Sequence, residues 1–488
     1  MNITLISLYS DVSSIGIRIL SSCLKNEAYN CKMVFIPHLT ESQYDFRDLD
    51  SDEVLSQLAD LCANDGLVGI SVMTNYFERA VHITKYLKEK TKATVLWGGV
   101  HPTTCPDESV EYADFIIIGE GEEAIVELAN AIKNKSDFPQ IQNLAFKKDG
   151  AIIKNPLRPL IQDLDSIPFP DYDLNSSYVA IGGKLQPMTA ELYKYCLLHT
   201  VRIFDDVPAY QIITSRGCPL NCSYCCNDIF RRLYKGQKYL RIRSVDNIIQ
   251  EIQAIKGLFD FIGTVWISDD SFIERTLDQI KEFRDKYKWQ IRVPFFCLGD
   301  PLNITDEKLD VLCDAGLEWM TMGIQTGSQK IKKLYTRSIK NEKILEAAKI
   351  INNHKDCLKP PMYDFIVDNP YEDYNDHYET MALINQLPLP FKLQVFSLTL
   401  YPGTSLLAKC IEDKHIQDPL NQVYRKSYFY DDVTYYILLM LFHNHGLPRP
   451  ILKILSSKPM FFLFDRPLFT KALTGLIKMA KRIVKGNK

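Results

Sequence analysis

Three cysteines fall within the run Ser215-Arg216-Gly217-Cys218-Pro219-Leu220-Asn221-Cys222-Ser223-Tyr224-Cys225, in the middle of a chain of 488 residues. An apolar, strand-like segment at 210–214 precedes this run. Three thiolates on one short loop can bind three corners of an iron–sulfur cube, which leaves the fourth iron open to a small molecule. A structural zinc site would need a fourth ligand, and the adjacent Cys226 is poorly placed to close the same tetrahedron. The spacing therefore predicts a [4Fe–4S] cluster, with a zinc site or inert cysteines as the alternatives.

Composition sets limits on the class of protein. The chain is 46% hydrophobic and 24% charged with a net charge of −3, which suits two or three globular domains and gives no reason to expect nucleic-acid binding. The thirteen cysteines are scattered, and Met1 leads directly into an apolar run without a signal peptide. No run approaches the roughly 18–20 apolar residues that span a bilayer. These features predict a cytoplasmic protein, at most peripheral to a membrane.

The first part of the chain, residues 1–135, alternates apolar runs with amphipathic segments. The predicted strands are 3–8, 33–37, 67–72, 94–97 and 115–118. Continuous apolar runs are typical of parallel strands that helices cover on both faces. The pattern predicts an α/β fold, a doubly wound (Rossmann-like) domain that binds a ligand at the carboxyl ends of its strands.

The remaining chain divides into three parts. Residues 136–208 are rich in proline and are interpreted as a linker region. Residues 209–412 repeat the strand–helix alternation, with predicted strands at 210–214, 264–267, 292–297, 319–324, 362–367 and 393–400. Six such units predict a partial (β/α)6 TIM-type barrel, and the cysteine loop follows its first strand, where the active sites of barrels lie.

Residues 413–488 are predicted to form a mainly helical, basic C-terminal extension. Residues 449–488 hold ten Lys or Arg and one acid, Asp465, a local charge of +9. Apolar residues from Leu473 to Val484 repeat at helical spacing. Three interpretations remain open: a helical cap on the barrel, a helix that contacts anionic lipid, and a nucleic-acid contact that lacks an aromatic stacking platform.

The cysteine loop, with its flanking Gly217 and Pro219 and its place after a first barrel strand, resembles the radical S-adenosylmethionine (SAM) enzymes. The resemblance implies that Cys218, Cys222 and Cys225 bind a [4Fe–4S] cluster. It also implies that the amino and carboxylate groups of SAM chelate the fourth iron. Cleavage of SAM by the reduced cluster then gives a 5′-deoxyadenosyl radical. Tyr224, just before the last cysteine, is expected to lie against the adenine.

Further segments over 210–405 resemble the same family. They are Trp266-Ile267-Ser268-Asp269-Asp270-Ser271-Phe272, Gly323-Ile324-Gln325-Thr326-Gly327-Ser328 and Tyr401-Pro402-Gly403-Thr404. The resemblance implies SAM contacts from Asp269, Asp270, Gln325, Ile366 and Tyr401, although Asp269 and Asp270 also suit a helix cap. Gln325 stands where many members have Glu, so it can hydrogen-bond a ribose hydroxyl but carries no charge. The segment 364–372 departs from the usual Gly-x-Pro-Gly-Glu, because Asn369 and Tyr371 replace its two glycines.

The first domain resembles the cobalamin-binding domain that is fused to many of these enzymes. The resemblance rests on Gly69-Ile70-Ser71-Val72-Met73-Thr74, Gly98-Gly99-Val100-His101-Pro102-Thr103 and Gly119-Glu120-Gly121-Glu122, each after a predicted strand. It implies cobalamin contacts from Ser71, Thr74, Gly98, Gly99, His101, Gly119, Glu120 and Gly121. The Asp-x-His-x-x-Gly motif that supplies a cobalt-ligating histidine in related modules does not occur in the sequence. His101 is therefore expected in the pocket or the turn rather than on cobalt.

With both cofactors, the resemblance implies methylation of an unactivated carbon by methylcobalamin after hydrogen abstraction by the adenosyl radical. A radical cyclisation or rearrangement is the alternative within the superfamily, and a non-catalytic iron–sulfur regulatory or electron-transfer protein is the alternative of another class. The expected partners are a small-molecule or lipid-like substrate and an electron donor such as flavodoxin or ferredoxin. The sequence identifies neither the substrate nor a catalytic acid, base or radical relay.

Overall fold

The structure, a computed structural model, describes residues 1–37, 51–136, 138, 140–200, 207–426, 428–430, 432–466, 468–473 and 475. Within these residues, two large sheets make up the first and second parts of the chain.

The first part is a parallel sheet with helices on both sides. Its strands and helices are β1 (Asn2–Ser7), α1 (Ile15–Asn26), β2 (Asn30–Phe35), α2 (Asp52–Cys62), β3 (Asp65–Ser71), α3 (Phe77–Lys90), β4 (Thr94–Gly98), α4 (Val100–Thr104), α5 (Pro106–Ser109), β5 (Phe115–Ile117) and α6 (Glu122–Asn134). The five strands run parallel in the order β5-β4-β3-β1-β2. Helices α1 and α6 pack on each other, as do α2 and α3. The prediction of a doubly wound domain is confirmed.

Residues 136–208, interpreted from the sequence as a linker, contribute strands to this same sheet. They form β6 (Leu144–Lys148), β7 (Ala151–Lys154), β8 (Ser177–Ile181), β9 (Lys184–Pro187) and α7 (Ala190–Thr200). The hairpin β6–β7 pairs with β5, and the hairpin β8–β9 pairs with β2, so the hairpins cover both edges of the five-stranded core. Prolines break helices but are tolerated at the ends of edge strands, which is why a proline-rich segment can take this role.

The second part is a six-stranded, all-parallel sheet, and the prediction of a partial barrel is confirmed. Its elements are β10 (Ala209–Ile212), β11 (Ser215–Arg216), α8 (Cys226–Leu233), β12 (Arg241–Ile242), α9 (Val245–Leu258), β13 (Thr264–Ile267), α10 (Leu277–Gln290), β14 (Phe295–Gly299), α11 (Asp306–Ala315), β15 (Leu317–Gln325), α12 (Gln329–Leu334), α13 (Asn341–Asn353), β16 (Met362–Val367), α14 (Tyr374–Ile384), β17 (Lys392–Ser397) and α15 (Ser405–Glu412). The barrel strands follow the order β10-β13-β14-β15-β16-β17, and β11 pairs with β12 in a separate two-stranded sheet. Cys313 and Cys357, which are 44 residues apart in the sequence, form a disulfide.

The C-terminal part is helical, as predicted. A π-helical turn at Leu420–Tyr424 precedes α16 (Tyr435–Asn444), α17 (Arg449–Leu455) and α18 (Lys458–Phe464). Helix α16 packs on β17 and α18 packs on α14, so this part covers the last strand of the barrel. Most of the amphipathic helix predicted between Leu473 and Val484 lies outside the described residues. Across the described part of the chain, the helices are too short or too polar to cross a bilayer.

Candidate functional site

The three-cysteine loop lies at the carboxyl end of β10, at the mouth of the barrel. The short β11–β12 ladder closes its base. Ser223 ties the loop to the end of α12, because its N–H donates to the Tyr335 carbonyl at 3.0 Å and its hydroxyl to the Leu334 carbonyl at 2.7 Å. Asp228 ties it to α15, since its Oδ2 accepts from the Ser405 N–H at 2.8 Å. The fold thus fixes the loop from two helices that come much later in the chain.

Hydrogen-bond donors approach two of the three cysteine sulfurs. The Arg337 guanidinium donates to Cys222 Sγ at 3.5 Å, and the Asn227 amide donates to Cys225 Sγ at 3.6 Å. A hydrogen bond from Cys226 lowers the pKa of Cys225 to about 7, against the effect of burial, whereas burial raises the pKa of Cys218 to about 12. Donors aimed at sulfur stabilise thiolates, the form that binds iron.

A cavity of about 430 Å³ lies between the carboxyl ends of the first sheet and the cysteine loop. Six of the eight residues predicted to contact cobalamin line it, namely Ser71, Gly98, Gly99, Gly119, Glu120 and Gly121. The opposite wall comes from the second part of the chain and includes Arg216, Gly217, Cys226, Asn227 and Asp270. The sequence did not identify Tyr9 at this cavity, where its hydroxyl lies 2.8 Å from the Ser71 hydroxyl.

The glycines of this cavity are required by the backbone. Gly99 and Gly119 have φ of 103° and 82°, a region that favours glycine. A Cβ on Gly119 would overlap the Tyr234 hydroxyl, and a Cβ on Gly99 would lie 3.0 Å from the Val72 carbonyl oxygen. Glycines at the ends of β4 and β5, two neighbouring strands, leave bare backbone on one wall of the cavity, which suits a flat macrocycle. The residues of the cavity therefore fit a corrin ring.

Thr74 and His101, the other two predicted cobalamin contacts, do not line the cavity. The His101 N–H donates to the Val72 carbonyl at 3.1 Å, and its fully buried ring lies 4.7 Å from the Phe77 ring. Its Nδ1 lies 3.3 Å from the Thr74 hydroxyl, so the two residues contact each other. Burial lowers the pKa of His101 to about 4, which keeps the ring neutral. Of the two places expected for His101, the pocket or the turn, the structure shows the turn, which packs this side chain away from the cavity.

Glu120 joins the two parts of the chain. Its Oε1 accepts from Arg216 Nη1 at 2.9 Å and from Arg241 Nη1 at 2.8 Å, while its Oε2 accepts from the Ile161 N–H at 2.9 Å. Arg216 also pairs with Glu122. Burial alone would raise the pKa of Glu120. The positive charges of Arg216 and Arg241 together lower it by more, so the pKa falls below its usual value of 4.5. We call Glu120 with these two arginines the inter-domain clamp.

A second cavity, of about 180 Å³, opens at the carboxyl ends of the later barrel strands. Four of the six residues predicted to contact SAM line it: Tyr224, Gln325, Ile366 and Tyr401. The Tyr224 ring packs edge-on against Tyr335 with the centroids 4.7 Å apart. Tyr224 lines this cavity and Cys226, two residues later, lines the first one, so the cysteine loop borders both spaces.

The two predicted SAM contacts that follow β13, Asp269 and Asp270, do not line this cavity. Asp269 is buried, and both of its oxygens are occupied by the Thr214 N–H, the Thr214 hydroxyl, the Ser215 N–H and Arg275 Nη1. It therefore fixes the start of the cysteine loop, and the prediction of a cofactor contact is not supported. Asp270 lines the first cavity and accepts from the Asn227 amide at 3.1 Å.

Asp364 also lines the second cavity, although the sequence motifs did not predict it as a site residue. Its Oδ1 is buried and has no hydrogen-bond partner within the described chain. Burial raises the pKa of Asp364 to about 8, and Arg337 opposes this shift. Alternation along β16 places Asp364 on the same face as Ile366, and that signal could have found it.

Comparisons with known proteins agree with this arrangement. A B12 binding domain model matches residues 1–129, and a Radical SAM superfamily model matches residues 212–384. An uncharacterized methyltransferase of Pyrococcus horikoshii is 25% identical over 391 residues, 77% of this chain and 76% of that protein. An anaerobic magnesium-protoporphyrin IX monomethyl ester cyclase of Rubrivivax gelatinosus is 27% identical over 64% of this chain and 51% of its own. The solved structure of the radical SAM methyltransferase TsrM from Kitasatospora setae, with cobalamin and a [4Fe–4S] cluster, superposes with a TM-score of 0.65 at 16% identity. That match covers 84% of this chain and 78% of TsrM.

The fold and the two family models define a radical SAM enzyme. The chain belongs to the members of this family that carry an N-terminal B12-binding domain, and its cofactors are a [4Fe–4S] cluster, SAM and cobalamin. Members of the family act on small molecules and require a reductant.

Proposed function

We propose that the chain is a cobalamin-dependent methyltransferase that methylates an unactivated carbon of a small molecule. The observation that supports this most is the first cavity, whose walls are the glycine strand ends and the cysteine loop. When bound, the cluster supplies the electron that cleaves SAM and cobalamin supplies the methyl group. Hydrogen abstraction and methylation would act on the same carbon, so both cofactors would have to face one substrate. The first cavity is lined by both parts of the chain and would allow this.

The residues take the following roles in the proposal. Cys218, Cys222 and Cys225 bind three irons, and Arg337 stabilises the Cys222 thiolate. The second cavity would hold SAM, and four of its lining residues would contact it: Tyr224, Gln325, Ile366 and Tyr401. The first cavity holds the corrin on Gly98, Gly99 and Gly119, with Ser71, Glu120 and Gly121 around it. Asp270 faces the space that is left for the substrate.

Product analysis distinguishes methylation from cyclisation or rearrangement. The reconstituted protein is mixed anaerobically with SAM, cobalamin and a reductant, either dithionite or a flavodoxin. A methyltransferase must take a methyl group from one SAM to reload cobalamin, so S-adenosylhomocysteine should form as well as 5′-deoxyadenosine. A cyclase should form 5′-deoxyadenosine without S-adenosylhomocysteine, and that outcome would contradict the proposal.

A matched pair of variants assigns the products to the two cofactors. Cys222→Ala should abolish 5′-deoxyadenosine, because the cluster loses a ligand. Gly119→Ala should lower S-adenosylhomocysteine with little effect on cluster iron, since the added Cβ lies in the first cavity. Loss of both products in Gly119→Ala with intact cluster iron would argue against two separate sites.

A second proposal concerns the C-terminal helices, which we propose contact anionic lipid and favour a lipid-like substrate. Apolar side chains on and after α17 and α18 are exposed, with Ile454 at 68%, Leu463 at 60% and Leu468 at 83%. Lys453, Lys458, Arg466 and Lys471 lie near them in the sequence, and this combination is typical of membrane-surface helices. The wild-type protein should float with vesicles that contain anionic lipid, and an Ile454→Ser/Leu463→Ser variant should float with them less. Neither protein should float with zwitterionic vesicles. Equal flotation of the two proteins would remove this proposal.

A further inference from the structure

Three metal-binding side chains meet on the helical turn that follows β4. His101, Cys105 and Glu108 stand at i, i+4 and i+7, and the Cys105 N–H donates to the His101 carbonyl at 2.8 Å. Cys105 lies between α4 and α5 with φ of −128° and ψ of 59°, so the chain leaves the helical conformation at this residue. One ligand atom from each lies within 4.8 Å of the other two. The turn therefore gathers a nitrogen, a sulfur and an oxygen donor around one point.

The histidine nitrogen that faces this point is unsatisfied. His101 is completely buried, and among the described residues its Nε2 has no hydrogen-bond partner. It lies 3.5 Å from Glu108 Oε2, which is too long for a good hydrogen bond. Its Nδ1 is 3.3 Å from the Thr74 hydroxyl, and an Nδ1–H donated there leaves the Nε2 lone pair aimed at the carboxylate. The His101 side chain is buried and that of Glu108 is 37% exposed, and a cation between them would reconcile a lone pair and a carboxylate oxygen that face each other.

His101 and Glu108 make the kind of hydrogen bonds to neighbouring groups that usually orient metal ligands. A ligating histidine commonly donates its other N–H to a fixed acceptor, and Thr74 is such an acceptor here. Glu108 Oε2 also accepts from the Tyr424 hydroxyl at 2.7 Å, which orients the carboxylate. Tyr424 comes from the C-terminal part, and its ring lies 5.3 Å from Phe77 and 5.8 Å from His101. The group thus lies at a junction between the first domain and the C-terminal part.

We propose that His101 Nε2, Cys105 Sγ and one Glu108 carboxylate oxygen bind a zinc ion. Zinc accepts imidazole, thiolate and carboxylate ligands together, and three protein ligands leave one position for water. The ion would fix the turn directly after Gly98 and Gly99 and tie it to Tyr424. This site lies outside the two cavities and does not depend on which reaction the enzyme catalyses.

Metal analysis of the full-length protein tests the proposal. The protein is reconstituted with cluster and cobalamin, equilibrated with zinc, and freed of loosely bound metal with a weak chelator. We expect one zinc per chain in addition to cluster iron and cobalt. Cys105→Ala and Glu108→Gln should lose the zinc and keep the iron and cobalt. The controls Cys23→Ala, a free cysteine of the same domain, and Glu111→Gln, a surface acid paired with Lys147, should keep all three metals.

Zinc-edge X-ray absorption on the wild-type protein gives an answer that does not depend on the folding of a variant. One sulfur with nitrogen or oxygen ligands is expected. A sulfur-only shell, a shell without sulfur, or a wild-type protein that retains no zinc would overturn the assignment. Zinc retained by both Cys105→Ala and Glu108→Gln would also overturn it.

Discussion

The inter-domain clamp predicts a local loss of stability in Glu120→Gln. This change keeps the size of the side chain and removes the charge that faces Arg216 and Arg241. Two charge-assisted hydrogen bonds are weakened, each worth about 1.5–3 kcal/mol. Arg216 retains Glu122, and Arg241 retains the Ile161 carbonyl at 2.8 Å. We therefore expect the lower end of the range, a loss of about 3 kcal/mol at the clamp.

Hydrogen–deuterium exchange of the Ile161 amide measures this loss directly, because the Ile161 N–H donates to the Glu120 carboxylate. A cost of about 3 kcal/mol corresponds to exchange about 100-fold faster in the segment 160–165. The pH dependence should change as well. Glu120 has a folded pKa below 4.5, so its contribution is present above that pH and is lost as the pH falls through the folded value. The wild-type segment should lose protection on acidification, and the variant should lose less.

Glu123→Gln is the matched control for this experiment. Glu123 pairs with Arg158 at 2.6 Å but is 61% exposed, and such surface pairs contribute about 0–1 kcal/mol. Exchange of the segment 160–165 should therefore be nearly unchanged in Glu123→Gln. Equal exchange in the two variants would refute the view that the clamp holds the two parts of the chain together.

Three further predictions concern the two cavities and the loop between them. Cys222→Ala should fail to assemble a full [4Fe–4S] cluster, whereas Cys226→Ala should assemble one; iron and sulfide per chain decide, and a full cluster in Cys222→Ala would contradict the ligand assignment. Gly119→Ala should weaken cobalamin binding about tenfold, since the new Cβ meets the Tyr234 hydroxyl at a φ of 82°; Tyr234→Phe is the control that should bind normally in an equilibrium titration. Asp364→Asn should raise the thermal midpoint more at pH 9 than at pH 6, because a carboxyl whose pKa rises from 3.8 to about 8 on folding destabilises the fold progressively between those values; an equal shift at both pH values would show that the carboxyl is not buried in this way.

The sequence predicted the core strands well because buried parallel strands are continuous apolar runs. The strands Thr264–Ile267 and Met362–Val367 have the predicted bounds. The glycine wall of the first cavity was also predictable, since Gly98, Gly99 and Gly119 follow strands whose carboxyl ends share one edge of the sheet.

Other features depend on contacts that no local pattern contains. His101 turns away from the cavity because its N–H is bound by Val72 and its ring is covered by Tyr424, more than 300 residues later in the chain. Asp269 is occupied by Arg275 and by the first residues of the cysteine loop, so a motif match alone assigned it to the wrong partner. The edge hairpins were missed because the prolines in 136–208 suggested an inter-domain connection with only a little structure of its own.

Those hairpins have a consequence for how the protein is made. The parallel core of the first domain ends at β2 on one side and at β5 on the other, and its edges are covered by strands that reach Pro187. Until those residues leave the ribosome, the nascent domain presents two open strand edges, the feature that promotes pairing with other chains. A gene fragment that stops near residue 135 would reproduce this intermediate permanently. The shortest fragment with both edges covered extends to Pro187, well past the match to the B12 binding domain at residue 129.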